Sequence, residues 1–361
     1  MIISHKMDNK DQSLHKKHEK LTNTIYENPE MLPNRYVYIL TNLCNLNCDF
    51  CYMERNFRED SMTTEDWNHL TFQLPEYARV TLTGGEPFMF KGFKEVFKNI
   101  AERFDCNVIT NGTLLTHELS DFMLGFEKFR ILSISVDDIK NRIRKINSEL
   151  WENTEREIKY FLERRNQINP SCTFDIKTTI LDETAERLFE IHKYCIEELG
   201  ADFNVFHFLK GSPIQHSDKS FSFNDIFKDT GAQIYKKLDT IKEQFEKIRD
   251  YDIKNNKVSF LHPKVGSLTE KTPLKGLKLM NEKFHKKENF FYCKYPWSSM
   301  HINVNGNLFP CLAVPMGNVK TTPLKQIIQG EKMQKFRKII REQGTIGACN
   351  RCGWLKPKIP E

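Results

Sequence analysis

Seven of the ten cysteines fall into two groups. Cys44, Cys48 and Cys51 lie in one run, TNLCNLNCDFCYM, while Cys293, Cys311, Cys349 and Cys352 lie toward the C-terminal end. The C-x3-C-x2-C spacing of the first group lets one loop wrap three thiolates around a single metal cluster, leaving a fourth metal with no protein ligand close by. Electron-carrying iron–sulfur clusters and structural zinc sites are closed by four ligands. A three-cysteine loop therefore leaves room on the metal for another molecule. The plainer alternatives are a zinc site completed from far along the chain, or chance clustering. Cys106, Cys172 and Cys195 stand alone among apolar neighbours (FDCNVIT, SCTFDI, HKYCIEE) and read as small buried hydrophobes.

The second group is built differently. In CKYPWSSMHINVNGNLFPC the Val-Asn-Gly-Asn stretch is a hairpin signal that brings Cys293 and Cys311 to the outer ends of two paired strands. Cys349 and Cys352, spaced C-x2-C in GACNRCGW, supply two further corners. Four thiolates close a site, and both zinc and a fully ligated iron–sulfur cluster fit that count.

The elements that must position these groups come from the rest of the pattern. Short β-rich runs alternate with helical stretches, the signature of parallel βα units. Six strands are expected, Tyr36 to Leu40, Arg79 to Thr83, Asn107 to Thr110, Ile131 to Ser135, Phe174 to Ile180 and Phe203 to Phe208. Helices are expected at Thr64 to Gln73, Phe93 to Arg103 and Ala185 to Glu198. The alternation gives an α/β domain over residues 36–215 without separating an open sheet from a barrel, and in either case function sits at the C-terminal ends of the strands. Strand two ends in TLTGGEPF, where two glycines let backbone approach a ligand that side chains would block. Strand three ends in ITNG, and strand four in SISVDD, where Asp137 and Asp138 can also serve simply as helix caps. Lys177 in FDIKTTI and His207 with Lys210 in NVFHFLKG are polar groups in or beside apolar runs, either a substrate clamp with a base or ordinary solvated positions.

Residues 1–35 form a polar, lysine- and asparagine-rich extension, and residues 216–290 a helical connector with an apolar stripe over Asn224 to Asp250. Residues 291–361 form a small cysteine-bearing domain. With 39% hydrophobic residues the chain is expected to fold rather than remain disordered. The surplus of 54 Lys and Arg over 48 Asp and Glu, net +6, is spread along the chain, so nucleic acid is not demanded. No apolar run approaches the ~18 residues that span a bilayer, and no signal peptide opens the chain. A cytoplasmic protein without a membrane partner is expected, and there cysteines serve as metal ligands rather than disulfides.

The triplet with its aromatic Phe50, set directly after an apolar strand (YVYILTNLCNLNCDFC), resembles the signature of the radical S-adenosylmethionine (SAM) superfamily. The resemblance implies a partial (β/α)6 barrel carrying a [4Fe–4S] cluster on Cys44, Cys48 and Cys51, with SAM chelating the open iron. One electron from a flavodoxin- or ferredoxin-type donor then yields a 5'-deoxyadenosyl radical that takes a substrate hydrogen. It further implies that Gly84, Gly85, Glu86 and Pro87 face the SAM amino group, with Asn111 and Ser135 as other SAM contacts and Tyr52 beside the adenine. The C-terminal segment resembles the SPASM/Twitch auxiliary-cluster domains, in the shorter α+β Twitch form with one auxiliary [4Fe–4S] cluster on Cys293, Cys311, Cys349 and Cys352. A fully ligated cluster suits an electron acceptor, so an oxidation is expected, with Lys177 or His207 as catalytic groups. The short stretch before strand one tilts the expectation toward a small-molecule dehydrogenase. A maturase acting on ribosomal peptides is the alternative, and a non-catalytic electron carrier the remote one.

Overall fold

The computed structural model describes residues 17–53, 60–212, 214–215, 220–227, 234–262, 266–269, 272–282, 286–311 and 314–358. The first sixteen residues of the polar extension lie outside this set. Apolar runs rich in β-branched and aromatic residues form the strands. They are β1 (Arg35–Ile39), β2 (Arg79–Thr83), β3 (Asp105–Thr110), β4 (Phe129–Ser135), β5 (Thr173–Ile180) and β6 (Phe203–Phe208). These six pair in parallel in chain order, as the alternation of strands and helices implied.

Two more parallel strands flank them. β7 (Ser259–Leu261) pairs with β6, and β9 (Ser299–Ile302) pairs with β1 in the register Arg35↔Ser299 and Val37↔His301. Short antiparallel strands finish each edge, β8 (Gly266–Ser267) on β7, and β10 (Asn307–Phe309) then β11 (Gly317–Asn318) beyond β9. The expected hairpin forms between β9 and β10, with Gly306 at φ 82° in its turn. Its other edge continues the barrel sheet, so the C-terminal segment is joined to the barrel by main-chain hydrogen bonds.

Helices cover one face of the sheet. Thr63 begins the helix Thr64–Phe72 through a reciprocal capping box with Asp66, and Asn147 caps the helix Ser148–Ile168. Tyr38 packs on Trp67 at 4.7 Å and Phe206 on Phe245 at 5.0 Å between ring centroids, so these residues face the helices. Because side chains alternate along a strand, His207 faces inward. Thr178 lies opposite Phe206 in register, which puts Lys177 on the inner face as well.

Two expected helices differ. The stripe expected to be helical over 224–250 is helical only from Leu238 and runs to Asn255, with a single 3-10 turn at Phe223–Phe227; residues 228–233 lie outside the described set. The helix starts where Asp182, just beyond β5, accepts from the backbone N–H groups of Lys236 and Lys237 at 3.1 and 3.0 Å. The stretch Ala185–Glu198 divides into a 3-10 turn, an α-helix (Leu188–Lys193) and a π turn (Tyr194–Glu198). Residues 17–27 are helical and dock on the C-terminal segment, Tyr26 meeting Trp297 edge-on at 4.8 Å while Arg341 lies over both rings.

Candidate active site and its two cysteine centres

The first cysteine loop leaves β1 and is fastened to the end of β2. Gly85 N–H donates to Thr41 O at 2.7 Å and Glu86 N–H to Leu43 O at 2.8 Å. A Cβ on Gly84 would lie 2.4 Å from Thr41 O, and one on Gly85 2.2 Å from Leu43 O. The clearance read as room for a ligand is thus used by the cysteine loop itself. Cys48 is buried, Cys44 half-buried and Cys51 exposed. N–H groups point at the sulfurs, Leu46 N–H to Cys44 Sγ at 3.4 Å, Asn111 Nδ2 to Cys44 Sγ at 3.8 Å and Arg144 Nη1 to Cys48 Sγ at 3.9 Å.

Glu86 is fully buried and joins β2 to β3. Its carboxylate accepts from Thr110 Oγ1 at 2.7 Å, Asn111 N–H at 2.8 Å and Phe88 N–H at 3.2 Å, the last across the turn that Pro87 begins. Burial nevertheless lifts its pKa to about 7 against those three donors and Arg144. Asn111 carries the link onward, donating to Asn45 Oδ1 at 3.0 Å and accepting from Thr113, so the cysteine loop, β2 and β3 share one polar network.

The turn after β4 supplies a residue that the sequence reading missed. Asp138 does cap the following turn, through Ile139 N–H. Asp137 instead accepts from Arg144 Nε at 2.6 Å and from Thr179 N–H, and Arg144 also lies over the Phe50 ring at 5.5 Å. Asn141 braces the turn, donating to the Ser135 carbonyl at 2.9 Å. Nothing in the basic run KNRIRK distinguished Arg144 from its neighbours; only the fold brings it to Cys48. Ser135 itself ends β4, opposite Lys177 in register. Tyr52 is 48% exposed beyond Cys51.

Inside the sheet, Lys177 pairs with Asp175 at 2.9 Å. His207 Nε2 is buried with no hydrogen-bond partner among the described residues, and burial together with Lys177 and Lys210 holds the imidazole well below its ordinary pKa. His207 meets His262 edge-on at 5.1 Å, His262 meets Trp354 at 4.9 Å, and Trp354 stacks on Tyr295 at 3.8 Å. Lys177 and His207, both singled out in the sequence, therefore share the inner face.

The second cysteine group gathers at the ends of β6 and β7. Cys349 interacts electrostatically with Cys352 and Cys293, and Lys210 with Cys352 and Cys311. The loop after β6 interlocks with the C-x2-C turn: Gln215 Nε2 donates to the carbonyls of Ala348 (2.8 Å) and Asn350, and a Cβ on Gly211 would lie 2.6 Å from Asn350 O. A Cβ on Gly353 would meet the His262 ring at 2.5 Å. Among the described residues no three His, Cys, Asp or Glu side chains converge on a single ion. Burial raises the thiols of Cys48, Cys349 and Cys352, with Arg144 offsetting it at Cys48 and Lys210 at Cys352. A thiol kept protonated by burial ionises when a metal replaces its proton, and by donor chemistry three thiols in one loop suit an open cluster and four in the C-terminal segment a closed one.

Residues 38–195 match the Radical SAM superfamily, and residues 293–353 match SPASM, an iron-sulfur cluster-binding domain. The chain carries a Radical SAM domain and a SPASM domain. The cofactors of such a protein are a SAM-binding [4Fe–4S] cluster, SAM and auxiliary iron–sulfur. SkfB, the sporulation killing factor maturation protein of Bacillus subtilis (strain 168), is 33% identical over 115 residues, 30% of this chain and 28% of SkfB. The S-adenosylmethionine-dependent nucleotide dehydratase of Selenomonas ruminantium is 24% identical over 155 residues, 41% of this chain and 56% of that protein. The radical SAM chain thus spans less than two thirds of either relative. Streptococcus suis SuiB bound to precursor peptide SuiA has the same fold, with a TM-score of 0.61 and 15% identity over 88% of this chain and 70% of SuiB. No helix among the described residues is long and apolar enough to cross a membrane.

Proposed function

We propose that this radical SAM protein is an enzyme that removes a hydrogen atom from a peptide and modifies it. The observation that carries the first half is the fastening of the three-cysteine loop, which bears Cys44, Cys48 and Cys51, to Gly85, Glu86 and Asn111. A bound [4Fe–4S] cluster and SAM supply the radical chemistry. The chain's own residues do the rest. Asn111 and Arg144 direct N–H groups at the sulfurs, and Ser135 and Tyr52, with backbone acceptors of the Gly84–Pro87 turn, hold SAM. His207, neutral at physiological pH, takes the substrate proton at Nε2, with Lys177 beside it fixed by Asp175. Cys293, Cys311, Cys349 and Cys352 hold one auxiliary cluster, which suits an oxidative outcome.

The peptide half is supported by SkfB, a maturation protein, and by the shared fold of SuiB, which binds a precursor peptide. A small-molecule substrate is the second reading, favoured by the nucleotide dehydratase among the relatives. The test supplies anaerobically reconstituted protein with SAM, dithionite and separated fractions of source-cell extract. The peptide fraction is expected to stimulate 5'-deoxyadenosine formation; stimulation by the small-molecule fraction alone overturns the peptide assignment. In the same assay His207→Gln should keep 5'-deoxyadenosine formation and lose modified product.

A further inference from the structure

Two exposed aromatic residues stand immediately before Cys293. Phe291 is 51% and Tyr292 59% exposed. They are held there by main-chain bonds to the C-terminal segment, Phe291 N–H to Lys356 O at 2.9 Å and Lys358 N–H to Asn289 O at 2.7 Å. The same bonds set Lys356 and Lys358 beside Phe291, and Lys287, which donates to the Glu342 carbonyl, lies by Tyr292. Lys356 Nζ lies 5.7 Å and Lys358 Nζ 5.9 Å from the Phe291 centroid, and Lys287 Nζ lies 5.9 Å from that of Tyr292. Residues 286–294 and 355–358 contain five lysines against one glutamate. Beside the rings a depression of about 250 Å³ has Lys287, Glu288, Phe291, Tyr292 and Lys358 in its lining, two cations to one carboxylate.

Large apolar rings held in water inside a ring of cations mark a surface built for a partner. The rings provide desolvated anchors of the kind that dominate interface energy, and the lysines steer a partner of opposite charge. The position identifies the kind of partner. Cys293 follows Tyr292 directly, and the other thiols of its group are likewise only half-buried. A protein seated on Phe291 and Tyr292 therefore lies against the auxiliary cysteine centre. We propose that Phe291 and Tyr292, with Lys287, Lys356 and Lys358, form the docking surface for an acidic one-electron carrier protein. This rests on the reading of the four C-terminal cysteines as a cluster site. The patch is compact rather than a long basic stripe, which argues against nucleic acid.

The experiment measures binding of a purified acidic ferredoxin to the reconstituted protein, alongside the same ferredoxin with its carboxylates amidated. Wild-type protein should bind the acidic form with an affinity that falls steeply with salt, and the amidated form should bind at least about tenfold more weakly. The exposed double variant K356E/K358E should also weaken binding about tenfold or more while iron content and visible spectrum stay unchanged. Equal binding by the variant, equal binding of the amidated carrier, or comparable affinity for single-stranded DNA or anionic vesicles overturns the proposal. Failure of the cluster reading is separate, because it appears as iron missing from the wild-type protein before any carrier is added.

Discussion

Arg144 reaches the first cysteine loop from a turn in which Lys140, Asn141 and Lys145 all take left-handed φ values of 53°, 51° and 61°. Such conformations are costly for residues other than glycine and persist where the surroundings enforce them. Here the return is a guanidinium shared between the fully buried Asp137 and Cys48. Arg144→Met leaves a buried carboxylate without its cation, which costs about 3 kcal/mol. It also removes the charge that favours the Cys48 thiolate. Iron per chain should therefore fall from about eight to about four, the C-terminal centre being kept; full iron retention would refute this role. The sequence could not reveal Arg144, because its importance lies in a contact between distant segments. Glu86 was legible as a motif residue, but its burial and three donors were not. A carboxyl whose folded pKa is raised contributes stability that is complete below its ordinary value of 4.5 and lost as pH rises through about 7. The urea midpoint of the metal-free protein should accordingly fall between those pH values, and Glu86→Gln should remove that part of the fall. An unchanged slope in the variant would place the titration elsewhere.

Each cysteine centre depends at the scale of elements on a loop that passes another at a glycine. Gly85 clears Leu43 O and Gly211 clears Asn350 O, at 2.2 and 2.6 Å from the Cβ each would gain. Both distances are to backbone, which cannot swing aside. Gly85→Ala should cost the N-terminal cluster and spare the C-terminal one, and Gly211→Ala should do the reverse. Iron analysis with electron paramagnetic resonance distinguishes the two, and loss of both signals in either variant would mean that the centres do not assemble independently. The strands of the barrel were legible because each is a run of five to eight residues with β-forming side chains. β7 and the pairing of β9 were not, since three and four residues carry too little pattern to show what lies beside them. The GGEP turn was found for its glycines, yet their immediate use is to let the cysteine loop pass.

The C-terminal segment joins the two flanks of the molecule. β9 lies against β1, while the C-x2-C turn packs on the ends of β6 and β7 through Gly211, Gln215 and Gly353. The stack His262, Trp354, Tyr295 runs between those flanks, and Arg35 at the start of β1 donates to the Tyr295 hydroxyl. Sequence marked this segment as a separate cysteine-bearing unit, because spacing reports ligands and not the strand that they hang from. The inner face that carries Lys177 and His207 thus lies in one body with both cysteine centres, which is the arrangement that the proposed hydrogen abstraction and oxidation would require. The measurement that tests this most directly is the isotopic composition of 5'-deoxyadenosine formed by the reconstituted protein with unlabelled SAM and a peptide fraction from deuterium-grown source cells. Wild-type protein should form 5'-deoxyadenosine that carries deuterium, and Cys48→Ser should form none. Unlabelled 5'-deoxyadenosine from the peptide fraction, with label appearing only from deuterated small molecules, would contradict this.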